Sequence, residues 1–195
     1  MKFGGIELGG IFGGYEIVNM AATKLPQELA TAIGEINSGL LGATFQPIWY
    51  VGKQVVNGVN HLLICEEIRS TKDRSAGIVA LVINIPPGSV GGKGAKVAEI
   101  IDEAKLEENI RVAFDSAVKS IVGVGYKAVA YVGSQVVRGT NHYFVCEARG
   151  IYPGAKPYAA LVCVNVFEGA TSLVSISPIG GGSEKAGLFG YAFTW

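Results

Sequence analysis

Charge is what this sequence has little of. Asp, Glu, Lys and Arg make up 16% of its 195 residues, against ~25% in ordinary soluble domains. The 16 basic residues cancel the 16 acidic ones, so there is no electrostatic basis for gripping nucleic acid or an anionic membrane surface. No apolar run approaches the ~20 residues of a membrane-spanning helix. Histidine occurs twice and cysteine three times, with no recognisable zinc spacing. An odd cysteine count agrees with free thiols in a reducing compartment. The opening MKFGGIELGG has no apolar core of the secretory kind. The expectation is a cytoplasmic protein with no metal and no cofactor. With 49% apolar residues and few charges to cover its surface, it is expected to bury an extra interface, as a homo-oligomer would.

What is present is repetition. Tyr50–Glu66 (YVGKQVVNGVNHLLICE) matches Tyr131–Glu147 (YVGSQVVRGTNHYFVCE) at 11 of 17 positions, at a shift of 81. Such a period is too long for a solenoid unit and fits a duplicated small domain. Upstream, Leu25, Leu29, Ala32, Ile33, Ile36 and Leu40 form an apolar stripe at helical spacing. Their shifted partners Leu106, Ile110, Ala113, Phe114, Ala117 and Ile121 are apolar too, which predicts an amphipathic helix in each copy. Pro26 belongs in the first turn of that helix. Past each helix the period drops to two, and strands are expected to hinge at Asn57-Gly58 and Arg138-Gly139. Asn-Gly suits a hairpin in which both turn residues take positive φ. Further strands are read at 77–85 and 158–166. Both copies therefore read as a helix followed by an antiparallel meander.

Both copies also carry Gln-x-Val-x-Gly in the first hairpin. Gln54, Val55, Val56, Asn57 and Gly58 supply it first, then Gln135, Val136, Val137, Arg138 and Gly139. The chain thereby resembles the cystatins, and QVVRGTNHYFV is especially similar to the stefin version. A glycine stands at the same distance ahead of each glutamine, Gly13 before Gln54 and Gly94 before Gln135, about where stefins keep their N-terminal glycine. The resemblance implies an α+β fold: two cystatin-like domains in tandem, 1–92 and 93–195, each one long helix packed on an antiparallel sheet. It implies a reversible inhibitor that drives a hairpin wedge into a papain-like cysteine protease. Gly13 and Gly14, the Gln54–Gly58 hairpin, and Pro86 with Pro87 would make the wedge. Gly58→Glu is then expected to weaken binding, and Gly139→Glu much less. A non-inhibitory protein-binding or self-assembling scaffold stays open beside it. Inhibition wants a free N-terminal arm, whereas a scaffold would use the same segment as an added strand.

An enzyme is not expected. His61 and Cys65, or His142 and Cys146, suggest a thiol–imidazole dyad, but four residues along a strand span about 13 Å. Buried thiols facing the helix are expected instead. The glycine run Pro86–Lys96 misses Walker spacing by one residue between Gly88 and Gly92-Lys93, and Gly94 replaces the Ser/Thr. It reads as an interdomain linker. On the face away from the helix, Leu62, Ile64, Tyr143 and Val145 break the alternation of a solvated sheet. That face is expected to be covered.

Overall fold

The computed structural model describes residues 2–3, 6–7, 15–72 and 75–180. Two two-residue strands, β1 (Lys2–Phe3) and β2 (Ile6–Glu7), come first, then β3 (Glu16–Ala21). There follow α1 (Gln27–Gly39), β4 (Ala43–Val56), β5 (Gly58–Arg69), β6 (Ala76–Ile85) and β7 (Lys96–Ile101). The second round is α2 (Glu108–Val118), β8 (Val124–Val137), β9 (Gly139–Gly150), β10 (Tyr158–Phe167) and β11 (Ala170–Ile179). Among the described residues, no helix is long and apolar enough to cross a membrane.

The chain forms two compact units. One is built on Tyr15–Asp102 and holds a sheet ordered β3-β4-β5-β6-β7. The other is built on Glu103–Pro178 with the start of the chain, and its sheet runs β1-β2-β8-β9-β10-β11. The junction expected at 92/93 falls instead between Asp102 and Glu103. The cause is β7, which pairs with β6 through Ile83↔Val97 and Asn84↔Lys96. The glycine run is thus a loop inside the first unit, not a linker. Gly92 anchors it: a Cβ there would strike the Glu28 carbonyl oxygen in α1.

The expected α+β class, with a long helix on each sheet, is corrected. Among the described residues the chain is mostly β, and its two α-helices are short, at 13 and 11 residues. The apolar stripes overstate them because apolar positions continue past both ends. Leu25 and Leu106 pack on the cores from outside the helices, and Leu40 is already extended. Pro26 sits just before α1 with ψ 139°, outside the helical region. Gly34 and Gly39 cost α1 about 1 kcal/mol each relative to alanine, and its end is held from outside. The Asn37 side chain donates to the Phe45 carbonyl at 2.9 Å and accepts from the Phe45 amide at 2.8 Å.

Register then sets the packing. β4 bulges between Pro47 and Trp49 and between Tyr50 and Gly52, and β8 bulges at the corresponding places, between Ala128 and Ala130 and between Tyr131 and Gly133. A bulge bends its strand and reassigns the faces beyond it; Pro47, which lacks an amide donor, is placed at one. Leu29, Ala32 and Ile33 of α1 pack on Phe45, Tyr50, Leu63, Cys65 and Leu81. Phe114 and Ala117 of α2 pack on Ala128, Phe144, Cys146 and Val162. The opposite faces are covered as well, since Leu62, Ile64, Tyr143 and Val145 are all buried. Strands buried on both faces read as near-continuous apolar runs, which is how GIVALVINI and YAALVCVNV look.

Ile64 is fully buried, whereas Leu41 and its counterpart Val122 are 96% and 91% exposed. Ile64→Ala should cost ~2–5 kcal/mol in urea unfolding through the cavity it leaves. Leu41→Ala should stay within ~0.5 kcal/mol of the parent. Equal losses would mean that the burial of this face is wrong.

Candidate functional site

Each long hairpin turns through a single residue. Val56 lies opposite Gly58 and Val137 opposite Gly139, leaving Asn57 and Arg138 at the tips. Gly58 and Gly139 have φ of 93° and 86°. Asn57 and Arg138 do not share that conformation, because Glu168 is the one non-glycine with positive φ among the described residues. The expectation of two positive-φ turn positions is corrected. It follows that Arg138 can replace Asn57, since the glycine alone carries the left-handed backbone.

The glycines also provide room. A Cβ at Gly58 would strike the Ile85 carbonyl oxygen, and one at Gly139 the Val166 carbonyl oxygen. Gly58→Glu and Gly139→Glu would both break the turn itself, so they do not separate the repeats as a binding test. Behind the tips an amide pair ties each hairpin to the next strand. Asn84 Nδ2 donates to Asn60 Oδ1 at 2.8 Å and to the Asn57 carbonyl at 3.4 Å. Asn165 Nδ2 does the same to Asn141 Oδ1 at 2.8 Å and the Arg138 carbonyl at 3.3 Å.

In the first unit Gln54, Val55, Val56, Asn57 and Gly58 form the hairpin tip, and Gly58 at its far side lies beside Pro86. Pro87 is exposed in the β6–β7 loop, which Ser89 closes by donating its Oγ–H to the Lys93 carbonyl at 2.8 Å. Gly13 and Gly14 lie outside the described residues, as does the apolar tail 186–195. In the second unit Gln135, Val136, Val137, Arg138 and Gly139 form the hairpin tip, and Gly139 lies beside Val166 and Phe167 at the end of β10. The Arg138 guanidinium lies over the Phe167 ring, 4.9 Å from its centre, a cation–π contact. Tyr143 Oη–H donates to Gln135 Oε1 at 3.0 Å. Val55 and Val136 are each 81% exposed. Two units thus present the same valine-tipped hairpin.

The thiols offer no nucleophile. Cys65 and Cys146 are buried and free, and burial drives both pKa values well above the ordinary thiol range. Cys163 is pushed up to about 11 by burial. It lies opposite Tyr143, whereas Cys146 lies opposite Ala160, so the two sulfurs take opposite faces of the sheet. His61 does not approach Cys65 as a base; its Nδ1 is 2.7 Å from Tyr50 Oη. His142 Nδ1 is 2.9 Å from Tyr131 Oη. Among the described residues no group of His, Cys, Asp or Glu is arranged to hold a metal ion.

These tyrosine–histidine and asparagine–asparagine pairs were missed by reasoning from motifs. The signal was in the repeat: Tyr50, Asn60, His61 and Asn84 recur as Tyr131, Asn141, His142 and Asn165. No family model matches the chain, and no curated protein matches it either. The cystatin resemblance therefore rests on the two Gln-x-Val-x-Gly hairpins and the glycines ahead of them.

Burial lowers the pKa of both histidines from the ordinary 6.5; at His61, Glu28 pulls upward and Lys53 adds to the lowering. Which of His61 Nδ1 and Tyr50 Oη donates follows from the ring's tautomer, and protonation leaves the ring with donors alone. The unfolded chain binds these protons first, so stability should fall as pH drops through 6.5 toward the depressed folded values. The urea midpoint at about pH 5.5 should lie below that at about pH 7.5, and His61→Gln with His142→Gln should shrink the difference. An unchanged difference in the double variant would exclude the histidines as its source.

Proposed function

We propose that the chain is a non-enzymatic, self-assembling protein scaffold whose two valine-tipped hairpins are contact surfaces. The observation that carries this is the position of the N-terminal segment. Ile6–Glu7 pairs with β8 and Glu16–Ala21 with β4, so both stretches serve as sheet strands where a wedge inhibitor needs a free arm. Low charge supports the same reading, because apolar tips with few flanking charges favour association over solvation. Three free, buried thiols suit a reducing, cytoplasmic setting.

A second reading has one observation in its favour. Gly58 packs against Ile85 and Pro86, so the first hairpin and the Pro86-Pro87 loop stand side by side, as a cystatin-like wedge into a papain-like protease would require. Titration separates the two. The scaffold reading expects a papain-like protease to keep its activity in molar excess of this protein, and stoichiometric loss of activity would replace it with the wedge.

Sedimentation equilibrium should show species heavier than the 20.4 kDa chain. Val55→Asp with Val136→Asp should weaken that association about tenfold or more, the ~1.4 kcal/mol or more expected when a charge replaces a buried apolar contact. Exposed positions leave the fold's own stability within ~0.5 kcal/mol. A single-chain mass at every concentration would overturn the scaffold.

A further inference from the structure

The two sheets receive an N-terminal strand at the same place, beside the first strand of the long hairpin, from different sources. In the first unit Glu16 lies opposite Lys53 of β4. In the second, Glu7 lies opposite Ser134 of β8. Lys53 and Ser134 are equivalent positions of the repeat, so Glu7 fills in the second sheet the position that Glu16 fills in the first. The sequence carries the same equivalence: Gly4-Gly5-Ile6-Glu7-Leu8 parallels Gly13-Gly14-Tyr15-Glu16-Ile17.

The second unit cannot take this strand from the residues just before its helix. β7 ends at Ile101, in the other sheet, and α2 begins at Glu108. Between them Ala104 donates one backbone bond to the Ala128 carbonyl at 2.9 Å. The strand comes instead from the start of the chain, with the whole first unit intervening in sequence. Among the described residues β2 pairs with Ser134 and Gln135, and β3 runs along β4 from Trp49 to Lys53.

We propose that the edge of β8 at Ser134–Gln135 is a strand-acceptor site, and that its occupant in the assembled protein is the Ile6–Glu7 strand of a second copy. This rests on the scaffold reading and adds, beside the hairpin tips, a second contact between its copies. A strand that belongs to a sheet in space but not in sequence is the kind of element that copies exchange, because the contacts made are the same in either arrangement. Backbone pairing supplies the attraction, and the Gly-Gly-apolar-Glu-apolar sequence pattern supplies the register. Each copy offers one donor strand and one acceptor edge, which permits either a reciprocal pair or a head-to-tail chain.

Mixed disulfides test it on the full-length protein. Residues directly opposed in antiparallel strands have Cβ atoms about 4.5–5.5 Å apart, closer at alternate pairs. Two adjacent pairs should therefore be run, Glu7→Cys against Ser134→Cys and Ile6→Cys against Gln135→Cys. The native thiols are buried and leave these additions as the reactive ones. Each cysteine is carried on a separate copy, and the copies are mixed and oxidised. The expected result is a reductant-sensitive species of twice the 20.4 kDa mass containing one copy of each variant. If neither mixture gives that species, while Glu7→Cys and Ser134→Cys in one chain lock internally, exchange is overturned. In that case a sedimentation mass above one chain leaves the scaffold reading standing, and a single-chain mass removes both.

Discussion

Register in the long hairpin is the constraint on which the rest depends. A tight turn lets Gly58 lie opposite Val56, its missing Cβ lets β6 approach, and Asn84 bonds the tip from behind. With that turn fixed, every later side chain in β5 has its face assigned: Leu63 and Cys65 toward α1, Leu62 and Ile64 away from it. A slip of one residue would exchange those sets and bring His61 off Tyr50. The second unit repeats the whole arrangement through Gly139, Asn165, His142 and Tyr131. That repetition explains why the Tyr50–Glu66 stretch recurs as Tyr131–Glu147, whatever binds the tips.

The same turn gives the molecule its surface chemistry. Pinning the backbone so closely behind the tip leaves Val55 and Val136 projecting into solvent, with Asn57 or Arg138 between them and the glycine. In the second unit the cation at the tip is held over Phe167, so the apolar character of the hairpin is diluted less than the sequence implies. The two tips are therefore more alike in structure than in sequence. A function for one copy and mere scaffolding for the other is the less natural account.

The sequence was most informative where a feature was local and duplicated. The helical stripes, the hairpins, the buried thiols and the apolar outer faces at Leu62, Ile64, Tyr143 and Val145 all follow from spacing and alternation. Where sequence reasoning failed, the deciding interaction was long-range. Pro86–Ala95 has the Gly/Pro punctuation of both a loop and a linker, and only the pairing of Ile83 with Val97 distinguishes them. Helix length was overestimated because Leu25 and Leu106 join the core without being helical. The acceptor edge on β8 was out of reach because its partner strand lies at the other end of the chain. The register of Glu7 against Ser134 was hidden in a short echo at the start of the sequence, which acquires meaning only once Glu16 is seen opposite Lys53.

The central claim is that the beginning of this chain is sheet and not a free arm. Amide hydrogen exchange reports on it directly, through peptides covering residues 2–7 and 15–21. The account predicts that both exchange more slowly than an unfolded chain of the same sequence. Exchange of both segments at the unfolded rate would contradict it.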